Sequence, residues 1–337
     1  MSKRWTVRPD GSNWGDFGED DQLGSLNYIT PECILDAVGT IKYGKAFCLS
    51  LPLDYPGGAI LAPPRKPPKI EATIRSEQPY FNYSFSNDVA GCCDRGCDDR
   101  ISLSTQYSTQ WDSLAHIGHE FDLNGSGEKK ICYYNGYQAG KHIRPPEERS
   151  DDYSMPLGID AYAKLPIQTR GILLDVEHHF GRESLNLTFD HIQTILEADH
   201  ITVKPGDIVC LHTGFADEVL KMNKKPDPDR IHTMCAAIDG RDQKLLQWLS
   251  DTRLSALVCD NFAVERVGLP HEGGVPAFVP LHYHCLFKRG IPLGELWFLT
   301  ELATWLRRHQ RHSFLLTAPA LRLPGAVGSP VTPVATV

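Results

Sequence analysis

The chain has 337 residues, of which 41% are hydrophobic and 23% charged, and a formal charge of −8. This composition belongs to a folded globular protein, long enough for one large domain or two closely packed lobes. The acidic balance and the absence of any Lys/Arg run longer than two exclude a nucleic-acid footprint, and no stretch of about 18 apolar residues offers a membrane span.

The N-terminus, MSKRWTVRPDGSNWGDFGEDDQLG, has no apolar core and does not read as a signal peptide, so a cytoplasmic location is expected. The ten cysteines are then read as reduced and mostly buried. Cys92, Cys93 and Cys97 are clustered, but no second Cys or His pair stands at zinc-finger distance, so a solvent-facing loop with free thiols is expected there.

In chain order, residues 54–69 (DYPGGAILAPPRKPPK) are too rich in Pro and Gly for a helix or central strand. They read as a long surface loop, an arm over a neighbour or a lid over a site. Residues 171–175 (GILLD), 207–213 (DIVCLHT) and 254–259 (LSALVC) are short apolar runs that fit buried strands. Between them, Phe189, Ile192, Ile195 and Leu196 share one helical face behind Thr188 as N-cap, Lys204 to Asp207 form a turn, and residues 221–230 form a polar loop. A second helix is expected from Asp242 to Leu249 and a third from Glu295 to Arg308, followed by an extended tail over 324–337. The alternation predicts an α/β protein with a mixed sheet. No Walker or G-x-G-x-x-G motif supports a nucleotide cofactor, and no G-x-S-x-G elbow supports a serine hydrolase.

Residues 101–112 (ISLSTQYSTQWD) place apolar side chains at Ile101, Leu103, Tyr107 and Trp111. As one strand, the segment would align Gln106, Ser108, Gln110 and Asp112 on the opposite face, either a solvated sheet face or the lining of a polar pocket. His116 follows where the chain should turn.

The spacing Gln106-x3-Gln110-x-Asp112-x3-His116, with Thr109, resembles the H-x-G-T-H-x-D-x-P-x-H signature of the cyclase family, which includes bacterial kynurenine formamidases and isatin hydrolase. Further segments similar to larger members are residues 13–32, RGILLD, KPGDIVCLHTGF, VCDNFAVE, HYHCLFKRGIPLGE and LRLPGAVGSP. The resemblance implies a compact mixed-sheet, β-barrel-like α/β fold spanning 1–337, with residues 1–70 as an exposed N-terminal arm and Pro-rich loop and 71–337 as the catalytic core. It also implies assembly as a dimer or tetramer. In metal-dependent members the first two histidines and the aspartate hold a divalent metal and the last histidine is the general base or acid. Here Gln106 and Gln110 replace both metal-holding histidines, while Asp112 and His116 remain and His282 and Glu295 match the downstream ligands.

The expected metal set is therefore Asp112, Gln106, Gln110, His282 and Glu295, an oxygen-rich group suited to Mg or Mn more than Zn, or no metal at all. Catalysis is assigned to His116 with Asp112, and substrate binding to Gln106, Gln110, Ser108 and Trp111. His284, expected on the same face as His282, is read as packing, and His178 and His179 as helix-edge residues. The leading function is hydrolysis of a small cyclic or acyl amide, or of a lactone, as in arylformamidases or secondary metabolism. The rivals are a metal-free cyclase, dehydratase or isomerase on an aromatic or polyketide-like compound, and an inactive ligand-binding homologue.

Overall fold

The computed structural model describes residues 3–149, 153–268 and 276–337. Nine strands form the main sheet: β1 (Ala46–Cys48), β2 (Gln110–Asp112), β3 (Gln168–Asp175), β4 (Ile208–His212), β5 (Ala256–Cys259), β6 (Leu293–Glu295), β7 (Ser313–Thr317), β8 (Gly328–Pro330) and β9 (Val334–Thr336). Their order is β1-β9-β7-β3-β4-β5-β6-β2-β8. The four central strands, β3 to β6, run parallel, and antiparallel wings flank them on both sides.

The apolar runs explain the centre. GILLD, IVCLH and ALVC are buried at every position, as expected for strands covered on both faces. The helices α1 (Pro31–Val38), α2 (Val176–Phe180), α3 (Phe189–Ala198), α4 (Phe215–Lys221) and α5 (Gln243–Asp251) supply covering layers, α1 lying on β3 and β7 and α2 on β4. Asp242 caps α5 through one carboxylate oxygen, 2.9 Å from the Lys244 amide, and accepts the Phe189 amide at 2.6 Å with the other, tying α5 to α3. The fold is thus the mixed α/β sheet expected, and the tail supplies β8 and β9.

Four expectations are corrected. The N-terminal segment is not an exposed arm: Trp14 is fully buried, its indole N–H donates to the Phe287 carbonyl at 2.7 Å, and Asn13 Nδ2 donates to the Arg289 carbonyl at 2.8 Å. Gly24 passes so close to Gly290 that a Cβ there would lie 2.1 Å from its carbonyl oxygen, so two glycines are needed at that crossing. Residues 1–2 of the expected arm lie outside the described residues.

Second, 101–112 is not one strand. Asp99–Ser102 pairs with Lys69–Ala72 in an exposed ribbon, and only Gln110–Asp112 joins the main sheet. The hydroxyl side chains between them take local hydrogen bonds in place of a ladder: Ser104 Oγ accepts the Lys66 amide, Thr105 donates to Gln106, and Ser108 donates to the Pro52 carbonyl.

Third, Glu295 does not open a helix. It ends β6, where the ladder with β2 holds it opposite Gln110, and the helix α6 begins five residues later (Thr300–Arg308). Fourth, His282 and His284 are helical, on a short turn Pro280–His282 that runs into a wider coil over Tyr283–Arg289, so alternation does not put them on one face. Cys93 and Cys97 are exposed and all ten cysteines are free thiols. No helix among the described residues is long and apolar enough to cross a membrane.

Candidate active site

The carboxyl end of β6 faces the start of its antiparallel neighbour β2, and this pairing places Glu295 opposite Gln110, with Asp112 opposite Leu293 on the same two strands. Asp112 and Gln110 are fully buried and Glu295 is 1% exposed. The Gln110 amide bridges the two acids, donating to Asp112 Oδ1 at 3.3 Å and to Glu295 Oε2 at 3.2 Å.

His282 enters from the short helical turn. Its Nδ1 lies 2.8 Å from Glu265 Oε1, and Glu265 also accepts the backbone N–H groups of Leu281 and His282. Ala263 and Val264, which immediately precede Glu265, both hold positive φ, +66° and +59°, a strained conformation for a β-branched residue that fixes where Glu265 points. With Nδ1 so held, Nε2 of His282 faces inward, 3.4 Å from Glu295 Oε1 and 3.9 Å from Asp112 Oδ2. Asp112 Oδ2 and Gln110 Oε1 are buried with no hydrogen-bond partner among the described residues.

Three acceptors that converge on one point need a positive charge between them, a proton or a cation. Burial, and then the neighbouring Glu295, push the Asp112 carboxyl above its ordinary range, so it keeps a proton at neutral pH. Burial works against a charged His282, but the hydrogen bonds to Glu265 and Glu295 prevail and raise it to about 10. For Glu295 burial is likewise outweighed, by His282 and Arg65, and it is held low.

Asp112, His282 and Glu295 offer one ligand atom each within 4.8 Å of one another. The unpartnered Asp112 oxygen, the inward Nε2 and the carboxylate behind the imidazole fit a divalent cation, with Glu265 as its outer support. Gln110 borders this group. Gln106 does not join it, because its Oε1 accepts from Thr105 at 2.9 Å and its Nε2 lies 3.1 Å from His116 Nδ1.

The orientation of the Gln106 amide decides the tautomer of His116. Its Nε2 also donates to the Val327 carbonyl, an acceptor only, so this end is the NH₂ group and His116 Nδ1 must accept. The His116 proton is then on Nε2, which lies 3.9 Å from Asp112 Oδ1. Burial, reinforced by the His282 charge, holds His116 down to about 4, so the ring is neutral and presents N–H to the pocket.

Ser108 is spent on Pro52, and Trp111 lies on the opposite face of β2, packed edge-on against Trp297 at 5.0 Å and donating to the Ala318 carbonyl. Both are corrections to the expected substrate contacts: alternation along β2 turns Trp111 into the core as surely as it turns Gln110 and Asp112 into the site. His284 is tied to Ser250 Oγ at 3.0 Å, and His179 to Asp199. Sequence reading missed Glu265, although it ends the VCDNFAVE segment, and Arg65, a cation set among prolines. Arg65 reaches in from the Pro-rich loop and donates to the Gln106 carbonyl at 2.8 Å.

Comparison with known proteins places this arrangement. The Cyclase family model matches residues 49–266, about two thirds of the chain. The chain is a member of the cyclase family. A crystal structure described as a novel cyclase is 30% identical, with a TM-score of 0.76, and the match covers 98% of this chain and 100% of that one. Isatin hydrolase A from Ralstonia solanacearum shares the fold at 15% identity, TM-score 0.56, over 91% of this chain and 97% of its own. Isatin hydrolase A from Labrenzia aggregata does so at 14% identity, TM-score 0.55, over 87% and 93%. No curated protein matches the sequence. Within this family member, both positions of the signature's first two histidines are glutamines, and each has taken on a hydrogen-bonding task to a neighbouring acid or imidazole.

Proposed function

We propose that this cyclase-family protein is a small-molecule hydrolase that cleaves a cyclic or acyl amide, or a lactone. The observation that carries the reading is the convergence of a buried acid with an unpartnered oxygen, an imidazole locked by a second carboxylate, and a neutral imidazole offering N–H to the same pocket. Isatin hydrolases with this fold act on a cyclic amide by name, which is consistent with it.

Asp112, His282 and Glu295 would hold a divalent cation, and an ion so held would supply Lewis-acid polarisation of the carbonyl. The oxygen-rich donor set favours Mg or Mn over Zn. The chain's own groups do the rest. Gln110 keeps the two carboxylates at a fixed separation. Asp112, whose carboxyl would be ionised with a cation bound, takes the proton of the attacking water and returns it to the leaving group as the bond to the carbonyl carbon breaks. His116 donates a hydrogen bond from Nε2 to the carbonyl oxygen as negative charge develops there and keeps its proton throughout. Burial of the cluster keeps bulk water from competing for these bonds.

A second reading has one observation behind it. Gln110 already bridges the two acids, a protonated His282 pairs with Glu295 and Asp112 keeps its own proton, so the cluster holds protons in place of an ion, as a metal-free cyclase or dehydratase would require. Metal analysis joined to assay of an isatin-like cyclic amide and an N-formyl arylamine, before and after chelation, divides the two. Hydrolysis lost on chelation and regained with Mn²⁺ is the expected result. Full activity in metal-stripped protein sinks the metal-assisted form of the proposal.

A further inference from the structure

The strap over residues 52–66 is held down at both ends and in the middle. The Leu51 amide donates to Thr109 Oγ1 at 2.9 Å, Tyr107 donates to the Gly58 carbonyl at 2.8 Å, and the Lys66 amide donates to Ser104 Oγ at 2.8 Å. Between these fastenings Ile60, Leu61 and Pro56 form an apolar wall with Phe262 and Leu296, and Arg65 closes the wall beside Gln106. The space left is about 10 Å³, room for one water. Anything larger than a water fits this space only if the strap shifts.

Arg65 brings unspent hydrogen-bond donors to that wall. Its guanidinium lies over the Phe262 ring, the guanidinium carbon 5.6 Å from the ring centre. Nη1 donates to the Gln106 carbonyl, and Glu295 Oε2 stands off at 3.8 Å, beyond a hydrogen bond. Among the described residues no acceptor meets its Nε or Nη2, although the side chain is only 21% exposed. A guanidinium fork with two free donors at an apolar mouth is the complement of a carboxylate attached to a ring or short hydrocarbon. It is also what such an anion needs here, because the Glu295 carboxylate stands 3.8 Å behind the guanidinium.

We propose that Arg65 is the specificity-determining residue of the site and that the substrate is a small aromatic or apolar carboxylate, its anion held by Arg65 and its ring by Ile60, Leu61, Phe262 and Leu296. This rests on the hydrolytic reading for what happens next, but the recognition can be read without turnover. Titrate the full-length protein with benzoate and with benzamide, a neutral counterpart of the same shape, by calorimetry at neutral pH, using wild type, Arg65→Met and Arg65→Lys. Wild type should bind benzoate at least about tenfold more tightly than benzamide, in the range of a charge-assisted hydrogen bond, and less so at high salt. Arg65→Met should erase the preference and leave benzamide binding unchanged, and Arg65→Lys should keep part of it. Equal binding of the two probes to wild type, no benzoate binding, or equal weakening of both in Arg65→Met overturns the proposal. Should Arg65→Met unfold, the wild-type comparison and Arg65→Lys decide. Benzoate preference without hydrolysis would discard the hydrolase and keep Arg65, and hydrolysis without the preference would do the reverse.

Discussion

Two buried clusters in this protein look alike on paper. Each puts an imidazole between two carboxylates: Asp112, His282 and Glu295 at the end of β6, and Asp175, Glu177 and His212 at the ends of β3 and β4. Their surroundings differ. Asp175 Oδ1 takes His212 Nδ1 at 2.8 Å and its Oδ2 takes Arg307 twice, while Glu177 takes Arg182 at 2.7 Å and His212 Nε2 at 3.2 Å. The Nε2 of His212 also meets Thr300 Oγ1 at 3.2 Å. In that cluster every acceptor has a cation or hydroxyl, and it ties β3, β4, α2 and α6 together. In the first cluster an aspartate oxygen and an amide oxygen have no partner among the described residues. The lesson is that residue types and mutual distances do not separate a site from a strut; unspent hydrogen-bonding capacity does.

Substitution at the paired aspartates gives the largest expected contrast. Asp175→Asn leaves Arg307 and His212 without their anion and should cost about 3–5 kcal/mol, read as a fall in the urea midpoint, with turnover per folded molecule kept. Asp112→Asn should do the opposite, lowering kcat by about a hundred- to ten-thousandfold with little loss of stability, because a neutral amide replaces a carboxyl that the folded protein already holds protonated. Comparable destabilisation by both variants would erase the distinction between the clusters.

The pH dependence sharpens it. Burial raises Asp175 but the His212 hydrogen bond and Arg307 lower it further, to about 2 against an ordinary 3.8. Its contribution is therefore complete above about pH 4 and is lost as pH falls toward 2. Asp112 runs the other way. Raised to about 8 by burial and Glu295, it binds a proton in the folded state that the unfolded chain has released, so it lowers stability as pH rises from about 4 to 8. Denaturation of the metal-stripped protein should show Asp112→Asn gaining on wild type with rising pH, while the deficit of Asp175→Asn shrinks only in acid.

Smaller effects lie one layer out. Glu265→Gln replaces an acceptor of three N–H groups with an amide and frees the His282 ring, so Mn²⁺ affinity should fall by about 10–100-fold in a metal titration. Trp111→Phe, on the core side of β2, loses the bond to Ala318 and should cost about 1–2 kcal/mol in denaturation with KM unchanged.

Much of this was legible before any coordinates. The runs GILLD, IVCLH and ALVC gave the parallel centre because uniform apolarity means burial on both faces, and Thr188 and Asp242 marked two helix starts. Residues 101–112 misled because Ser and Thr hydroxyls can satisfy a backbone that alternation alone would send into a sheet. Gln106 stood out by its spacing, but its task, setting the His116 tautomer, depends on the Val327 carbonyl more than two hundred residues away. Arg65 and Glu265 are single residues without periodicity, and only the folded chain brings them to the acids.

The account turns on whether Asp112, His282 and Glu295 form an ion-binding centre with an oxygen to spare. Calorimetric titration of Mn²⁺ into metal-stripped wild type should show one ion per chain with release of the Asp112 proton, and none bound by Asp112→Asn. Equal binding by both proteins, or no binding by wild type, would contradict it.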